Sequence, residues 1–176
     1  VQERARATQD MNNLRQIGLA TQMYLNENDG VLFTTGGIWM TQLKPKYLPA
    51  WKIFQSPFDT RNASETNASA PVSYGLNGNN IIGTAADKIV NPSLFILLAP
   101  AQASGSTVSF QGLGGAAVTV YKTTSTPGGT ATGGTHNKRT RINALFADLH
   151  SENILWTDFV NDTIPSPNYR WDPAGK

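Results

Sequence analysis

"MNNLRQIGLATQMYLNENDG", residues 11–30, decides how the rest of this chain is read. Its helical period already runs upstream, from about Glu3 to Asn28. At 100° per residue, Ala7, Met11, Leu14, Gly18, Thr21 and Leu25 fall in one arc, with Ile17 and Tyr24 on its shoulder. Gln9, Asn13, Arg15 and Gln22 lie elsewhere. No proline or run of β-branched residues interrupts the stretch, and Asn28-Asp29-Gly30 is a strong stop signal. The expected element is a helix of about 25 residues, roughly 37 Å long and twice the mean helix length. Its stripe Met11, Leu14, Gly18, Thr21 and Leu25 is expected to pack on a sheet, with residues 1–10 protruding beyond the core. Leu19 and Met23 break the segregation by standing on the far side. An ordinary helix packed on one core leaves both without a reason to be apolar; a helix contacted from two sides supplies one.

The chain downstream changes character. "IWMTQLKPKYLP" (38–49) reads as a short helix stopped by Pro45, and residues 51–80 as loop punctuated by Pro, Asn and Ser. "LFILLAP" (94–100) contains a buried strand from Leu94 to Ala99. Residues 101–135 are rich in Gly, Ser, Thr and Ala, with Lys122 the only charge. Within them "TVSF" (107–110) and "AAVTVYK" (116–122) alternate as hairpin strands do. "RINALFADLHSENILW" (141–156) reads as strand, turn at Ala147 to His150, and strand; the tail is proline-rich coil. One long helix followed by antiparallel hairpins gives an α+β fold with extended loops. It divides into the helix, 1–28, and a globular head, 29–176.

Bulk properties narrow the function classes. At 176 residues the chain can bury a core without staples, and it has no cysteine, which removes disulfide and zinc-thiolate readings. A net charge of +2 is too small to argue for nucleic acid. No run approaches the ~20 apolar residues of a membrane span. The first residue is Val1, so a fragment or processed form is expected.

Candidate chemistry is sparse. His136, Asp148 and His150 are the one set with metal-ligating side chains, but Asp148-Leu149-His150 falls where a turn is expected, and alternate turn residues rarely converge on one ion. "GLGGAA" (112–117) lacks the Lys-Ser/Thr and the helix of a phosphate loop. Asp158, Asp162 and Asp172 could ligate a structural calcium with nearby carbonyls, though their spacing matches no EF-hand; solvated carboxylates are the simpler reading. Asn62, Asn67 and Asn161 head glycosylation-type triplets. The basic "HNKRTR" (136–141) has no interleaved aromatic platform, so a solvated hairpin edge is expected rather than nucleic acid. No catalytic or cofactor-binding set emerges.

"RARATQDMNNLRQIGLATQMYLNENDG" (4–30) resembles the start of the periplasmic part of bacterial type IV pilin-like proteins, and most of all type II secretion pseudopilins and relatives that end in a His-spacer-Asp-Gly motif. "WMTQLKPKYLPAWKIFQSPFD" (39–59) resembles that family's Trp…Tyr-Leu-Pro…Pro-x-Asp block. "VSYGLN" (72–77) is similar to its Ser-Tyr-Gly-x-Asn strand, and "HNKRTRINALFADLHSENI" (136–154) to its final hairpin. Many relatives carry cysteine where this chain has Asp10 and Ser56; Leu149 replaces the motif's glycine, and the spacer from His136 to Asp148 is longer. The resemblance implies a pilin-like fold with a membrane half-helix preceding this segment, and a non-enzymatic filament subunit. Its partners would be copies of itself and related pilins, an inner-membrane assembly platform and the membrane, with the head in the periplasm or on a cell-surface pilus. Leu19 and Met23 would then form the filament-assembly face. The rival classes are a surface adhesin or carbohydrate-binding module, and a metal-dependent enzyme using His136, Asp148 and His150.

Overall fold

A computed structural model describes residues 2–35, 39–44, 46–59, 62–65, 70–77, 81–101, 109–110, 133–159, 169–170 and 172–174. Helix α1 runs unbroken from Gln2 to Glu27. It stops where the sequence supplies a residue tolerant of left-handed backbone: Asp29 sits at φ 56°, and the Gly30 N–H donates to the Leu25 carbonyl at 2.8 Å, the closure of a Schellman-type cap.

Beyond α1 lie five strands, β1 (Tyr74–Asn77), β2 (Ile96–Pro100), β3 (Ser109–Phe110), β4 (Arg141–Phe146) and β5 (Ser151–Leu155), in the spatial order β3-β1-β2-β4-β5. The pairs β1–β2, β2–β4 and β4–β5 are antiparallel. The fold is therefore α+β, with α1 on one face of a mostly antiparallel sheet. That face and the segment after α1 share one core, in which Leu14, Ile17 and Leu25 join Phe33, Trp39, Leu43, Phe54, Leu97 and Leu145. The opposite face buries Ile96, Ala99, Ile142, Ala144 and Phe146 beneath Phe159, which belongs to a one-turn helix α2 (Trp156–Phe159).

Several local expectations need correction. The buried arc of α1 is Asp10, Asn13, Leu14, Ile17, Gly18, Ala20, Thr21, Tyr24 and Leu25, rotated by about 60° from the arc drawn through Met11 and Leu25. Met11 moves to the shoulder and is only partly buried, while Ile17 and Tyr24 move inward. The rotation follows from two polar residues, Asp10 and Asn13, that partner the sheet; a count of apolar positions cannot see them. Residues 2–9 are mostly exposed, but Asp10 is not part of any protruding stretch, being 1% exposed. The expected helix at 38–49 is a single 3-10 turn, Trp39–Gln42, and Pro45 lies outside the described residues. Leu94 is exposed and belongs to the turn before β2, its N–H donating to the Asn91 carbonyl. β3 pairs with β1 in parallel, so it is not the partner in a simple hairpin with its sheet neighbour, and residues 116–122 lie outside the described residues. Trp156 opens α2 rather than ending β5.

Gly18 marks the closest approach of α1 to the sheet. A Cβ built there would stand 3.2 Å from Leu145 Cδ1 and 3.3 Å from the Leu149 carbonyl oxygen. The carbonyl belongs to the β4–β5 turn and has little freedom to withdraw. Gly18→Leu is accordingly expected to overpack this contact and lower stability by about 1–3 kcal/mol, although leucine is the better helix former. A urea melt in which the variant unfolds no earlier than the parent would refute the close approach.

Candidate functional site

Two features of α1 stand out, one on each side. On the outer side Leu19 is 69% and Met23 50% exposed. Four residues apart on a helix, they are neighbours and make one strip. Nearby polar side chains bond to one another along the helix instead of covering them: Arg15 Nη1 donates to Asn12 Oδ1 at 3.4 Å and Gln22 Nε2 to Asn26 Oδ1 at 2.9 Å. A lone surface leucine is unremarkable. An adjacent pair opposite the buried arc is a candidate contact surface.

On the inner side lies a chain of polar groups, buried at Asp10, Asn13, Asn143 and His136 and exposed at Asn153. Asp10 Oδ1 accepts the Tyr74 hydroxyl at 2.5 Å, and Oδ2 accepts Asn143 Nδ2 at 2.9 Å. The Ser56 hydroxyl is a third donor to this carboxylate. Asn143 Nδ2 also donates to the Ala7 carbonyl at 3.0 Å, which ties the otherwise exposed start of α1 to β4. Asn13 Nδ2 donates to the Gln55 carbonyl at 3.0 Å. From Asn143 the chain continues outward: its Oδ1 accepts Asn153 Nδ2 at 3.0 Å, and the same Asn153 nitrogen lies 2.7 Å from His136 Nε2.

Burial raises the Asp10 pKa above its ordinary 3.8, opposed by hydrogen bonds from Tyr74, Ser56 and Asn143. A carboxyl raised in this way contributes stability that is present below 3.8 and lost as pH climbs through its folded value. His136 is shifted the opposite way. Burial pushes it below 6.5, the nearby Glu3 carboxylate pulls it back, and the Arg141 guanidinium lowers it further. Its contribution is full above 6.5 and lost as pH falls through the folded value.

The metal-ligating set does not converge. His136 is buried against the Phe58 ring, centroids 5.3 Å apart, beside the Arg141 end of the β4–β5 hairpin. Asp148 and His150 are at the other end, in the turn. There His150 Nδ1 meets Asp148 Oδ1, and Nε2 meets Glu152 Oε2 at 2.8 Å. Partial burial disfavours charge on His150, but the two carboxylates outweigh it and hold the pKa above 6.5. Both ring nitrogens are thereby engaged by carboxylates, and among the described residues no three His, Cys, Asp or Glu side chains are arranged to hold a metal ion. Of the calcium candidates, Asp158 offers its carbonyl to Arg170, Asp172 Oδ1 accepts the Ala174 N–H, and Asp162 lies outside the described residues. Asn62 is exposed; Asn67 and Asn161 lie outside the described residues. The basic stretch forms a tight turn in which Asn137, Lys138 and Arg139 all have positive φ, 51°, 57° and 63°.

Reading the sequence for periodicity missed Asp10, Asn13, Tyr74, Asn143 and Asn153. One signal was available: Asp10 sits four residues before Leu14 and seven before Ile17, a spacing that places a carboxylate on the apolar face. Among the described residues no helix is long and apolar enough to cross a membrane. Comparison with protein-family models, with curated proteins and with solved structures yields no match.

Proposed function

We propose that this chain is a filament subunit of the pilin or pseudopilin kind, assembling with copies of itself and related subunits through the outer face of α1. The observation that carries the proposal is the Leu19–Met23 strip, 69% and 50% exposed, opposite an arc fastened to the head. A helix of 26 residues that keeps two large apolar side chains together on its otherwise polar far side has a reason to be contacted there as well. In this reading an apolar half-helix precedes Val1, anchors the subunit in the bacterial inner membrane and meets the assembly platform there, with the head on the periplasmic side or on an extracellular pilus.

Two details agree with the family resemblance. Asp10 and Ser56, where many relatives carry cysteine, are neighbours, the Ser56 hydroxyl lying close enough to favour the charged carboxylate. Leu149, where the motif has glycine, stands at φ 70°, backbone geometry that glycine takes freely and leucine does not. The adhesin or carbohydrate-binding alternative draws on an open cleft between α1 and residues 50–59, lined by Gln9, Asn13, Gln16, Lys52 and Gln55; amide-rich walls suit hydroxylated ligands.

The chain has no cysteine, which makes the test clean. Met23→Cys in the full-length subunit is expected to give intermolecular cross-links in assembled filaments, and Lys88→Cys, on the head, far fewer. Equal cross-linking at the two positions, or none at residue 23, would count against the helix face.

A further inference from the structure

We propose that the Asp10–Asn143–Asn153–His136 chain is an acid-released latch: neutral His136 fixes the amides that hold the first turns of α1 to the sheet, and its protonation loosens them. This reading does not depend on the filament assignment. It rests on the direction of each hydrogen bond.

Arg141 Nη1 donates to Asn153 Oδ1 at 2.9 Å. A guanidinium has no acceptor, so this contact fixes which end of the Asn153 amide faces Arg141. The nitrogen end must then face Asn143 Oδ1 and His136 Nε2. With an N–H pointed at it from 2.7 Å, Nε2 can only accept. His136 is therefore neutral, with its proton on Nδ1, where Thr135 Oγ1 receives it at 2.9 Å. The Asn143 amide is oriented in the same sense. Its oxygen is occupied by Asn153, which turns its nitrogen toward Asp10 and the Ala7 carbonyl. Every donor meets an acceptor in one direction only.

Protonation at Nε2 puts two donors face to face. Asn153 must then rotate, and rotation gives up either Arg141 or Asn143. If Asn143 is given up, the anchor on Ala7 and Asp10 loses its orientation. Burial favours neutral His136, and the charges around it divide. Glu3 on α1 pulls the ring toward its charged form and Arg141 on β4 pushes it away, while Lys138 and Arg139 follow His136 in the same turn. From residues 56–59 it meets the uncharged Phe58 ring, while Asp59 Oδ2 accepts the Ser73 hydroxyl. β5 contributes Asn153. Asp10 cannot counterfeit the effect, because its own titration weakens the fold as pH rises, not as it falls.

The chain has two histidines, so a pair of variants separates them. Amide hydrogen exchange over Ala7–Leu14, corrected for intrinsic pH dependence, is expected to lose protection severalfold as pH falls from about 7.5 to about 5, through the range in which His136 takes up its proton. His136→Gln, whose side-chain oxygen accepts the Asn153 amide at any pH, should abolish that dependence, and His150→Gln should retain it. A second measurement needs no variant: nitrogen NMR of the parent protein should find His136 as the Nδ1–H tautomer near neutrality. Unchanged protection in the parent, an undiminished acid effect in His136→Gln, its loss in His150→Gln, or an Nε2–H tautomer would each overturn the latch.

Discussion

Asp10→Ala is expected to cost the fold about 3–5 kcal/mol, because it leaves buried neutral donors without their acceptor. The carboxylate has three donors, the Tyr74 hydroxyl, Asn143 Nδ2 and the Ser56 hydroxyl. Alanine leaves all three inside a site where Asp10 is 1% exposed, and each stranded donor costs about 1–3 kcal/mol. The gain from no longer burying a carboxyl offsets part of this, which keeps the total below the sum of three. Asp10→Asn separates the hydrogen bonds from the charge. Its oxygen can accept from Asn143 while its amide donates to the Tyr74 hydroxyl, so more than half of the loss should return. Its stability should also no longer fall as pH rises from 3.8, since the group that ionises is gone. Denaturant melts at two pH values measure both effects. An Asp10→Ala protein as stable as the parent would mean that the buried polar chain does not fasten α1.

That chain also shows where sequence reading stops. The length of α1, its stop at Asn28–Gly30 and the β4–β5 hairpin follow from period, capping chemistry and alternation, which are local properties of the string. The rotation of α1 does not. Apolar residues at 11, 14, 18, 21 and 25 define an arc, but its final direction depends on what Asp10 and Asn13 meet across the interface, and Tyr74 and Asn143 are more than 60 and 120 residues away. Long-range polar pairing has no signature in spacing. The parallel pairing of β3 with β1 is hidden for the same reason, since alternation marks a strand without naming its neighbour. His136 and His150 carry identical side chains and differ only in surroundings. One is 5% exposed and held neutral, the other is partly exposed and held toward its charged form by two carboxylates. Leu19 and Met23 were legible because a helix sorts its faces by simple rotation, and both lie opposite the buried arc under either placement.

The double substitution Leu19→Asp, Met23→Asp is expected to leave this chain folded and to abolish filaments or secretion when placed in the full-length subunit in cells. The two outcomes follow from one surface in two environments. In the isolated chain both positions face water, and the head loses no packing when they change; surface substitutions of this kind stay within about 0.5 kcal/mol, and the modest helix propensity of aspartate adds a few tenths for each. In an assembly that covers the strip, each carboxylate enters an apolar contact with no cation prepared for it. Burying an unpaired charge costs several kcal/mol, and every interface along a filament repeats that cost. A factor of ten in subunit affinity corresponds to 1.4 kcal/mol, so assembly should fail well before the fold does. Leu19→Ala, Met23→Ala supplies the intermediate case: it removes apolar contact without adding charge and should thin filaments rather than eliminate them. Circular dichroism of the chain and electron microscopy of cells expressing the full-length variants give the two readouts. Normal filaments with both aspartates in place would remove the helix face from the assembly surface, and the amide-lined cleft beside α1 would become the stronger candidate for what this protein binds.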